Sequence, residues 1–267
     1  MQKTLLALAI LSFAAAASAA PDSQETPLHP IKDGRYTVST GYEYFNEKVH
    51  NEKSSVNSFT LRGRADIPLA QQHAIRAELG YIRHSFDTKA NGVTLVDGGK
   101  ADTIDLYAGY LYSPSGFKQG GLRVGGGLGY RYTDNDNRAH RTVHSPNEVD
   151  ANASVLYLKA QAEYEQDLGG GWSITPWGDV QVSLRRRIET KWSQVYTVPD
   201  ETHKGSSYGI SLGVDAQKQF TPNLALTFGP YYRYGHSKTP AYDHAGVHFD
   251  SSTTRTHNFG IRAGLRF

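Results

Sequence analysis

HNFGIRAGLRF, residues 257–267, alternates apolar residues with polar residues or glycine along its whole length. Successive side chains of a strand point to opposite faces, so one face would carry Phe259, Ile261, Ala263, Leu265 and Phe267. The other face would carry Arg262 and Arg266. An apolar face backed by a polar one is typical of a membrane strand in a β-barrel. The stretch therefore predicts a transmembrane strand, and its final Phe is typical of the closing strand of a bacterial outer-membrane barrel.

The same alternation recurs in nine further segments, each near the ~9–11 residues that a tilted membrane strand requires. They are 35–48, 54–67 and 73–86, followed by segments around 104–112, 122–132, 156–164, 172–184, 208–214 and 224–234. Ten strands is an even number, and the connections between them alternate between short Gly- or Pro-containing turns and longer polar loops. The predicted fold is all-β: a ten-stranded antiparallel transmembrane β-barrel with short periplasmic turns and five extracellular loops.

The loops and the aromatic residues orient this barrel. Long extracellular loops are predicted at 87–101, 133–150, 190–205 and 235–252, with a shorter one at 49–53. Outward tyrosines near the loop ends and Phe117, Trp172, Phe220 and Phe267 near the turn ends would form two interfacial girdles. Pro176 and Pro230 lie inside predicted strands, and a bulge is expected at each because proline cannot donate a ladder hydrogen bond.

The first residues have the pattern of a secretory signal. Lys3 precedes an apolar run that is too short to span ~30 Å of hydrocarbon, and small residues follow it. We expect a signal peptide at 1–19, a periplasmic N-terminal segment at 20–34 and the outer-membrane barrel at 35–267. The chain has no cysteine, which excludes disulfides and thiol chemistry, and its formal charge of +2 gives no indication of a nucleic-acid partner.

Charged residues of both signs fall on the inward face of the predicted strands. They are Arg62, Arg64, Asp66, Arg76, Glu78, Asp105, Arg123, Lys159, Glu163, Asp179, Arg185, Asp215, Arg233, Arg262 and Arg266. We expect them to cross the lumen in pairs, because an unpaired buried charge is costly. Inward Gly125, Gly127 and Gly129 would make room for long facing side chains. A filled lumen is favoured over a pore, and a small anion-selective channel remains the alternative.

The extracellular rim carries the candidate ligand-binding residues. These are Arg83, His84, Arg131, Arg138, Arg141, His144, Arg185, Arg187, Lys191, Arg233, His236 and Lys238. A cleft where Arg185, Arg187, Arg233 and Lys238 meet could bind a sulfated or carboxylated glycan, since arginine binds such groups bidentately. Nine histidines fall in the same half: His50, His84, His140, His144, His203, His236, His244, His248 and His257. Their spacing is not that of a zinc motif, which favours solvated imidazoles, with a pH-dependent surface charge as the alternative.

An enzyme would need a catalytic constellation. Asp134 and Asp136, with Asp243 and His244 or His248 and Asp250, could form an omptin-like protease site at the rim. All of them lie in polar loops, where Asp and His are ordinary turn residues, and no GxSxG motif is present. We expect no catalytic residues, no metal and no cofactor.

Several segments resemble a known family. GRADIPLAQQHAIRAELGY (63–81), TIDLYAGYLY (103–112), LRVGGGLGYR (122–131), LGGGWSITPWGDV (168–180) and FGIRAGLRF (259–267) are similar to strand and turn segments of the OpcA outer-membrane adhesins and invasins. The resemblance implies a monomeric ten-stranded barrel in outer-membrane lipid. It also implies that the loops bind host proteoglycans such as heparan sulfate, sialic acid on host glycans, or the matrix proteins vitronectin and fibronectin. The adhesin is the main hypothesis; the anion-selective channel and the rim protease are the alternatives.

Overall fold

The structure is a computed structural model that describes residues 34–49, 51–117 and 120–267. The predicted signal peptide and almost all of the segment 20–34 lie outside these residues. The strands are β1 (Arg35–Val49), β2 (Glu52–Ala70), β3 (His73–Ala90), β4 (Val93–Tyr112), β5 (Gly121–Asp136), β6 (Ala151–Gly169), β7 (Trp172–Thr190), β8 (Glu201–Thr221), β9 (Leu224–Thr239), β10 (Tyr242–His244), β11 (Val247–Phe249) and β12 (Ser252–Arg266). Short 3-10 turns occur at Arg138–His140 and Trp192–Gln194.

Ten of these strands form one closed antiparallel barrel. The order around the barrel is β1-β12-β9-β8-β7-β6-β5-β4-β3-β2, and β10 and β11 form a separate hairpin between β9 and β12. The predicted fold class is confirmed. In the described part of the chain, no helix is long and apolar enough to cross a membrane.

The C-terminal stretch closes the barrel as predicted. In the β1–β12 pairing, Thr37 is opposite Arg266 and Tyr44 is opposite Phe259. At the periplasmic end of this pairing, the backbones of Tyr36 and Phe267 exchange two hydrogen bonds, of 3.1 and 2.8 Å. With both terminal strands paired, the barrel has no free edge.

The two faces of the wall differ as the alternation predicts. Phe259 on the outer face is 65% exposed, whereas Arg76 on the inner face is 2% exposed. Outward tyrosines, Tyr44 and Tyr132 among them, lie towards the extracellular ends of the strands, while Trp172, Phe220 and Phe267 lie at the periplasmic ends. Exposed apolar side chains around the whole wall belong in hydrocarbon, so the barrel is built for a membrane.

The prediction that Phe117 belongs to the periplasmic girdle is wrong. It is buried in a small cluster with Ala74 and Leu111. The turn that carries it folds against the neighbouring β2–β3 turn, where the Phe117 N–H donates to the Gln71 carbonyl at 3.0 Å. The ring therefore covers the periplasmic end of the barrel instead of facing lipid.

The strands are longer than predicted, and the predicted loops are correspondingly too long. β8 has 21 residues and β4 has 20, about twice the length needed to cross the bilayer. The predicted loop 87–101 is mostly strand, turned tightly at Asn91 and Gly92, whose φ angles are 49° and 81°. The extra length extends beyond the tyrosine girdle, so the barrel wall rises above the membrane on the extracellular side.

The prediction of a bulge at Pro176 and at Pro230 is wrong. Pairing between β6 and β7 passes from Glu163–Trp177 to Gln166–Ile174 with no change of register. Pairing between β8 and β9 likewise continues in register on both sides of Pro230. Each proline interrupts its ladder locally, and the long pairing on either side keeps the two strands aligned without an extra residue.

Candidate functional site

Buried ion pairs fill the periplasmic half of the lumen. Arg76 donates to both carboxylate oxygens of Asp66 at 2.7 and 2.8 Å and to Glu163 Oε1 at 3.0 Å. Arg123 joins Glu163 at 3.1 Å to Glu165 at 2.5 Å. The predicted pairing of charges across the lumen is confirmed here, and it satisfies groups that would be costly to bury alone.

A second group of pairs lies nearer the outside. Arg131 Nη2 donates to Asp105 Oδ2 at 2.7 Å, and the Tyr157 hydroxyl donates to the other oxygen of Asp105 at 2.7 Å. Lys159 Nζ lies 2.8 Å from Glu78 and 3.7 Å from the centre of the Tyr107 ring. The cavity left among these charged side chains is about 90 Å³, against about 960 Å³ at the periplasmic mouth. The paired charges therefore leave little free volume where they cross the lumen.

Four of the predicted ligand-binding residues border a cavity above this network, and all but His236 have side chains that point inward. The cavity has a volume of about 270 Å³ and is lined by His84, Arg131 and Arg233. The side chains of Arg131 and Arg233 are 29% and 22% exposed. Nη1 of Arg233 lies 3.4 Å from Glu43, and its Nε has no hydrogen-bond partner among the described residues. Arg233 thus has donors to spare, and a guanidinium can bind a carboxylate or sulfate bidentately.

A second cavity of about 330 Å³ adjoins the first and shares Glu47, His84 and Thr133 with it. Its outer wall includes Asn137 and Glu148 from the loop 137–150. Carboxylates dominate this side, whereas guanidinium groups dominate the first cavity. The mouth therefore has a cationic side and an acidic side, as expected for a rim whose charges nearly balance.

The loop that carries Arg138, Arg141 and His144 is fastened to the barrel. Thr142 donates through its backbone N–H to Leu95 at 3.0 Å and through its hydroxyl to Thr94 at 2.7 Å. The Arg138 N–H donates to Asp150 at 2.9 Å. These bonds hold the loop against the β4 wall, so its basic side chains occupy defined positions beside the mouth.

The predicted cleft of Arg185, Arg187, Arg233 and Lys238 does not form. Tyr157 pairs with Ser183 but Leu156 pairs with Arg185, so Leu184 is the extra residue of a β-bulge. The bulge reverses the alternation beyond it. Arg185 and Arg187 point outward and only Arg186 points inward, so the prediction that Arg185 faces the lumen is wrong.

The remaining candidates lie on the outer surface. Arg83, His236 and Lys238 point away from the lumen, and His236 stacks on Tyr208 with 4.8 Å between ring centres. Lys191 Nζ lies 3.8 Å from Asp134. The twelve candidates therefore divide into a lumen group, a loop group and a wall group, and ligand binding by any of them stays a prediction.

Sequence reasoning missed an aromatic cluster over the mouth. Tyr242 stacks on Phe249 across the β10–β11 hairpin with 4.8 Å between ring centres. Phe249 contacts Trp192 at 5.5 Å, and Tyr242 stacks on His203 of β8 at 4.3 Å. Burial lowers the pKa of His203. We call Trp192, His203, Tyr242 and Phe249 the aromatic clasp, because it fixes the hairpin to the barrel. The aromatic residues of the β7–β8 and β9–β12 connections, Trp192, Tyr242 and Phe249, were the sequence feature from which this cluster could have been predicted.

The acid–histidine candidates are partly paired. His248 Nδ1 lies 2.6 Å from Asp243 Oδ1, and this hydrogen bond raises the pKa of His248. Both side chains are exposed, at 61% and 79%. Asp136 instead accepts a hydrogen bond from the Ala139 N–H at 3.3 Å. No group of three or more His, Asp or Glu side chains that could hold a metal ion is found in the described part of the chain.

Solved outer-membrane barrels share this fold at low sequence identity. The translocator domain of the autotransporter NalP from Neisseria meningitidis matches with a TM-score of 0.52 and 12% identity, over 99% of this chain and 95% of that chain. The outer membrane protease OmpT from Escherichia coli matches with a TM-score of 0.50 and 12% identity, over 90% of this chain and 98% of that chain. Such identities show a common fold alone.

Family membership is decided by sequence. No curated protein matches the chain significantly. Residues 31–267, which contain the entire barrel, match the family described as outer membrane protein OpcA. The predicted resemblance and the predicted location in the bacterial outer membrane are both confirmed. The chain belongs to the OpcA family of outer-membrane proteins.

Proposed function

We propose that this protein is an outer-membrane adhesin that binds acidic host-surface glycans, such as heparan sulfate or sialylated chains, at the outer mouth of the barrel. The observation that carries the proposal is the cavity that Arg131 and Arg233 line with partly exposed side chains. The family resemblance implies the same class of ligand. The size of the cavity suits one charged sugar unit, with the rest of the chain lying across the loops.

The two arginines have different roles in this proposal. Arg131 is engaged by Asp105, and its guanidinium lies 5.3 Å from the centre of the Tyr157 ring. It therefore forms a fixed cationic wall. Arg233 has only a longer contact of 3.4 Å to Glu43, so it is the group that exchanges its weak contact for a ligand carboxylate or sulfate.

Residues beside the mouth would extend the contact. Arg141 and His144 are exposed on the fastened loop 137–150 and would bind further anionic groups of a longer glycan. The aromatic clasp supports the other side of the mouth. A folded partner such as vitronectin or fibronectin would use the same upper surface, so glycan and protein targets are alternatives for one site.

Binding of heparin-derived oligosaccharides and sialylated glycans to the purified, folded barrel tests this proposal. Arg233→Gln should weaken binding about tenfold or more, since hydrogen bonds to charged groups are among the strong ones. Arg83→Gln is the matched control, because it removes the same charge from the outer wall, and should bind as the wild type does. Absence of binding to every acidic glycan and both matrix proteins between about pH 5.5 and 7.5 would rule the proposal out.

Under this proposal we expect neither channel nor enzyme activity. The paired charges leave little free volume among them, which supports a non-conducting barrel, and a steady current in planar bilayers would contradict it. The Asp243–His248 pair is solvated and lies within the β10–β11 hairpin, where it joins the two short strands. Cleavage of basic peptides that is lost in Asp243→Asn would instead support a rim protease.

A further inference from the structure

Four strands that are neighbours in the barrel each carry an outward cation four residues from an outward aromatic residue. Lys48 of β1 lies four residues beyond Tyr44, Lys238 of β9 lies four beyond Tyr234, and Lys204 of β8 lies four from Tyr208. Arg255 of β12 lies four residues from Phe259. All four cations are exposed, and they alternate in phase with the outward aromatic residues of their strands. We call Lys48, Lys204, Lys238 and Arg255 the basic belt.

The strands of the belt are neighbours in the barrel, in the order β1, β12, β9, β8. The register places Lys48 directly opposite Arg255. It also places Lys48 opposite Lys53 and Lys204 opposite Arg187. Like charges directly opposite each other destabilise a sheet, because paired residues are only about 5 Å apart. The outer wall therefore keeps like charges opposite each other although their repulsion destabilises the pairing of the strands.

The belt has no counter-charge of its own. Within the described residues, no carboxylate forms an ion pair with Lys48, Lys204, Lys238 or Arg255, whereas most of the lumen charges, Arg76, Arg123, Arg131 and Lys159 among them, are in ion pairs. Glu189 of β7, opposite Thr202, is an outward carboxylate on the strand beside β8. Other outward carboxylates lie across the barrel, where Asp102 is opposite Asp134 and Asp136 is opposite Lys100. The described residues of β1, β12, β9 and β8 themselves carry no outward carboxylate, so the outer wall is basic along these four strands.

The height of the belt identifies the occupant. Four strand residues span about 13 Å, which at the usual strand tilt is about 10 Å along the membrane normal above the tyrosine girdle. That is the level of the lipid head groups, and long basic side chains can reach down to it along the wall. The belt points sideways into the leaflet, away from the mouth where a host ligand would arrive.

We propose that the basic belt is a lateral binding surface for the phosphorylated head groups of outer-leaflet lipid. Phosphate oxygens from the surrounding leaflet supply the counter-charge that the barrel lacks. Lipid is bound on the β1, β12, β9 and β8 side, so the barrel has a preferred orientation towards its lipid neighbours. This inference is independent of the proposed glycan site, because none of the four belt residues lines either outer cavity.

Titration of the folded, detergent-solubilised full chain with bisphosphorylated lipid A, read by native mass spectrometry, tests the belt. The variant with Lys48, Lys204, Lys238 and Arg255 all changed to Gln should bind about six hundredfold more weakly, at about fivefold per near-surface charge. The matched control changes Lys100, Arg138, Arg141 and Lys191 to Gln and should bind as the wild type does. Lipid A without phosphates should bind all three proteins weakly and equally.

Other anions separate lipid from soluble ligands. Inorganic phosphate and a heparin oligosaccharide should bind the wild type and the belt variant equally, because these soluble anions have no acyl chains to hold their charged groups beside the apolar wall. Equal lipid A binding by wild type and belt variant would overturn the proposal, as would an equal loss of heparin binding in the belt variant. If the fourfold variant does not fold, Lys204→Gln and Lys238→Gln serve singly, each with an expected loss of about fivefold, and unchanged binding in both overturns the proposal.

Discussion

Arg76 of β3 and Glu163 of β6 meet inside the lumen, with Nη2 of the arginine 3.0 Å from Oε1 of the glutamate. Their side chains are only 3% and 7% exposed. Glu163 also accepts from Arg123, and Arg76 also donates to Asp66, so the two residues join both halves of the network. The stability of the barrel interior should therefore depend on this pair more than on any single ion pair at the surface.

Glu163→Gln tests that dependence. The change keeps the shape of the side chain but leaves Arg76 and Arg123 without their shared counter-charge. We expect a loss of about 3–5 kcal/mol in the free energy of unfolding, the usual cost of removing one partner from a buried pair. Urea unfolding of the barrel in lipid vesicles measures it. Arg83→Gln, at an exposed outward position, should stay within about 0.5 kcal/mol of the wild type, and equal effects of the two changes would contradict this account.

Glycine at position 129 makes room for a neighbouring ring. A Cβ atom there would overlap the Tyr157 ring, whose hydroxyl donates to Asp105 at 2.7 Å. We expect Gly129→Ala to destabilise the barrel by about 1–3 kcal/mol, because the ring must move and its hydrogen bond is strained. At Gly63 a Cβ atom would meet nothing within 4 Å, so Gly63→Ala should stabilise the strand by about 0.5–1 kcal/mol. Urea unfolding of the two variants should thus give shifts of opposite sign.

The fold was predictable because the lipid face is a local property of each strand. Residues such as Phe259 and Ile261 must be apolar wherever the barrel lies, and the period of two reveals them. The upper parts of the strands meet water on both faces, so Val93 and Glu201 begin strands that no apolar pattern marks. Arg131 on β5 and Arg233 on β9 are separated by three strands. Their proximity depends on the pairing register of every strand between them, and the sequence of either strand alone does not determine that register.

The Asp243–His248 pair gives the β10–β11 hairpin a pH dependence. The hydrogen bond to Asp243 raises the pKa of His248 above its ordinary value of 6.5. The folded hairpin therefore binds this proton more tightly than the unfolded one. The pair's contribution is fully present below about pH 6.5 and is lost as the pH rises through the raised pKa. NMR titration of the His248 ring should show the raised pKa, and the protection of the hairpin amides relative to their intrinsic exchange rates at each pH should be greater at acidic than at alkaline pH. Asp243→Asn should return the pKa towards the ordinary value and remove most of the difference.

The bulge at Leu184 predicts an accessibility pattern that simple alternation does not. Beyond the bulge, Arg185 and Arg187 are exposed on the outer wall, while Arg186 turns inward and donates to the Thr239 hydroxyl at 3.3 Å. The chain has no cysteine, so single cysteines can be introduced without a background thiol. A membrane-impermeant thiol reagent added to the folded barrel should label Arg185→Cys and Arg187→Cys quickly and Arg186→Cys at least about tenfold more slowly, since a buried thiol is both shielded and less ionised. Strict alternation from Val182 would instead turn positions 185 and 187 inward and 186 outward. Fast labelling at 186 with slow labelling at its two neighbours would therefore show that the bulge is absent and restore the lumen position for Arg185.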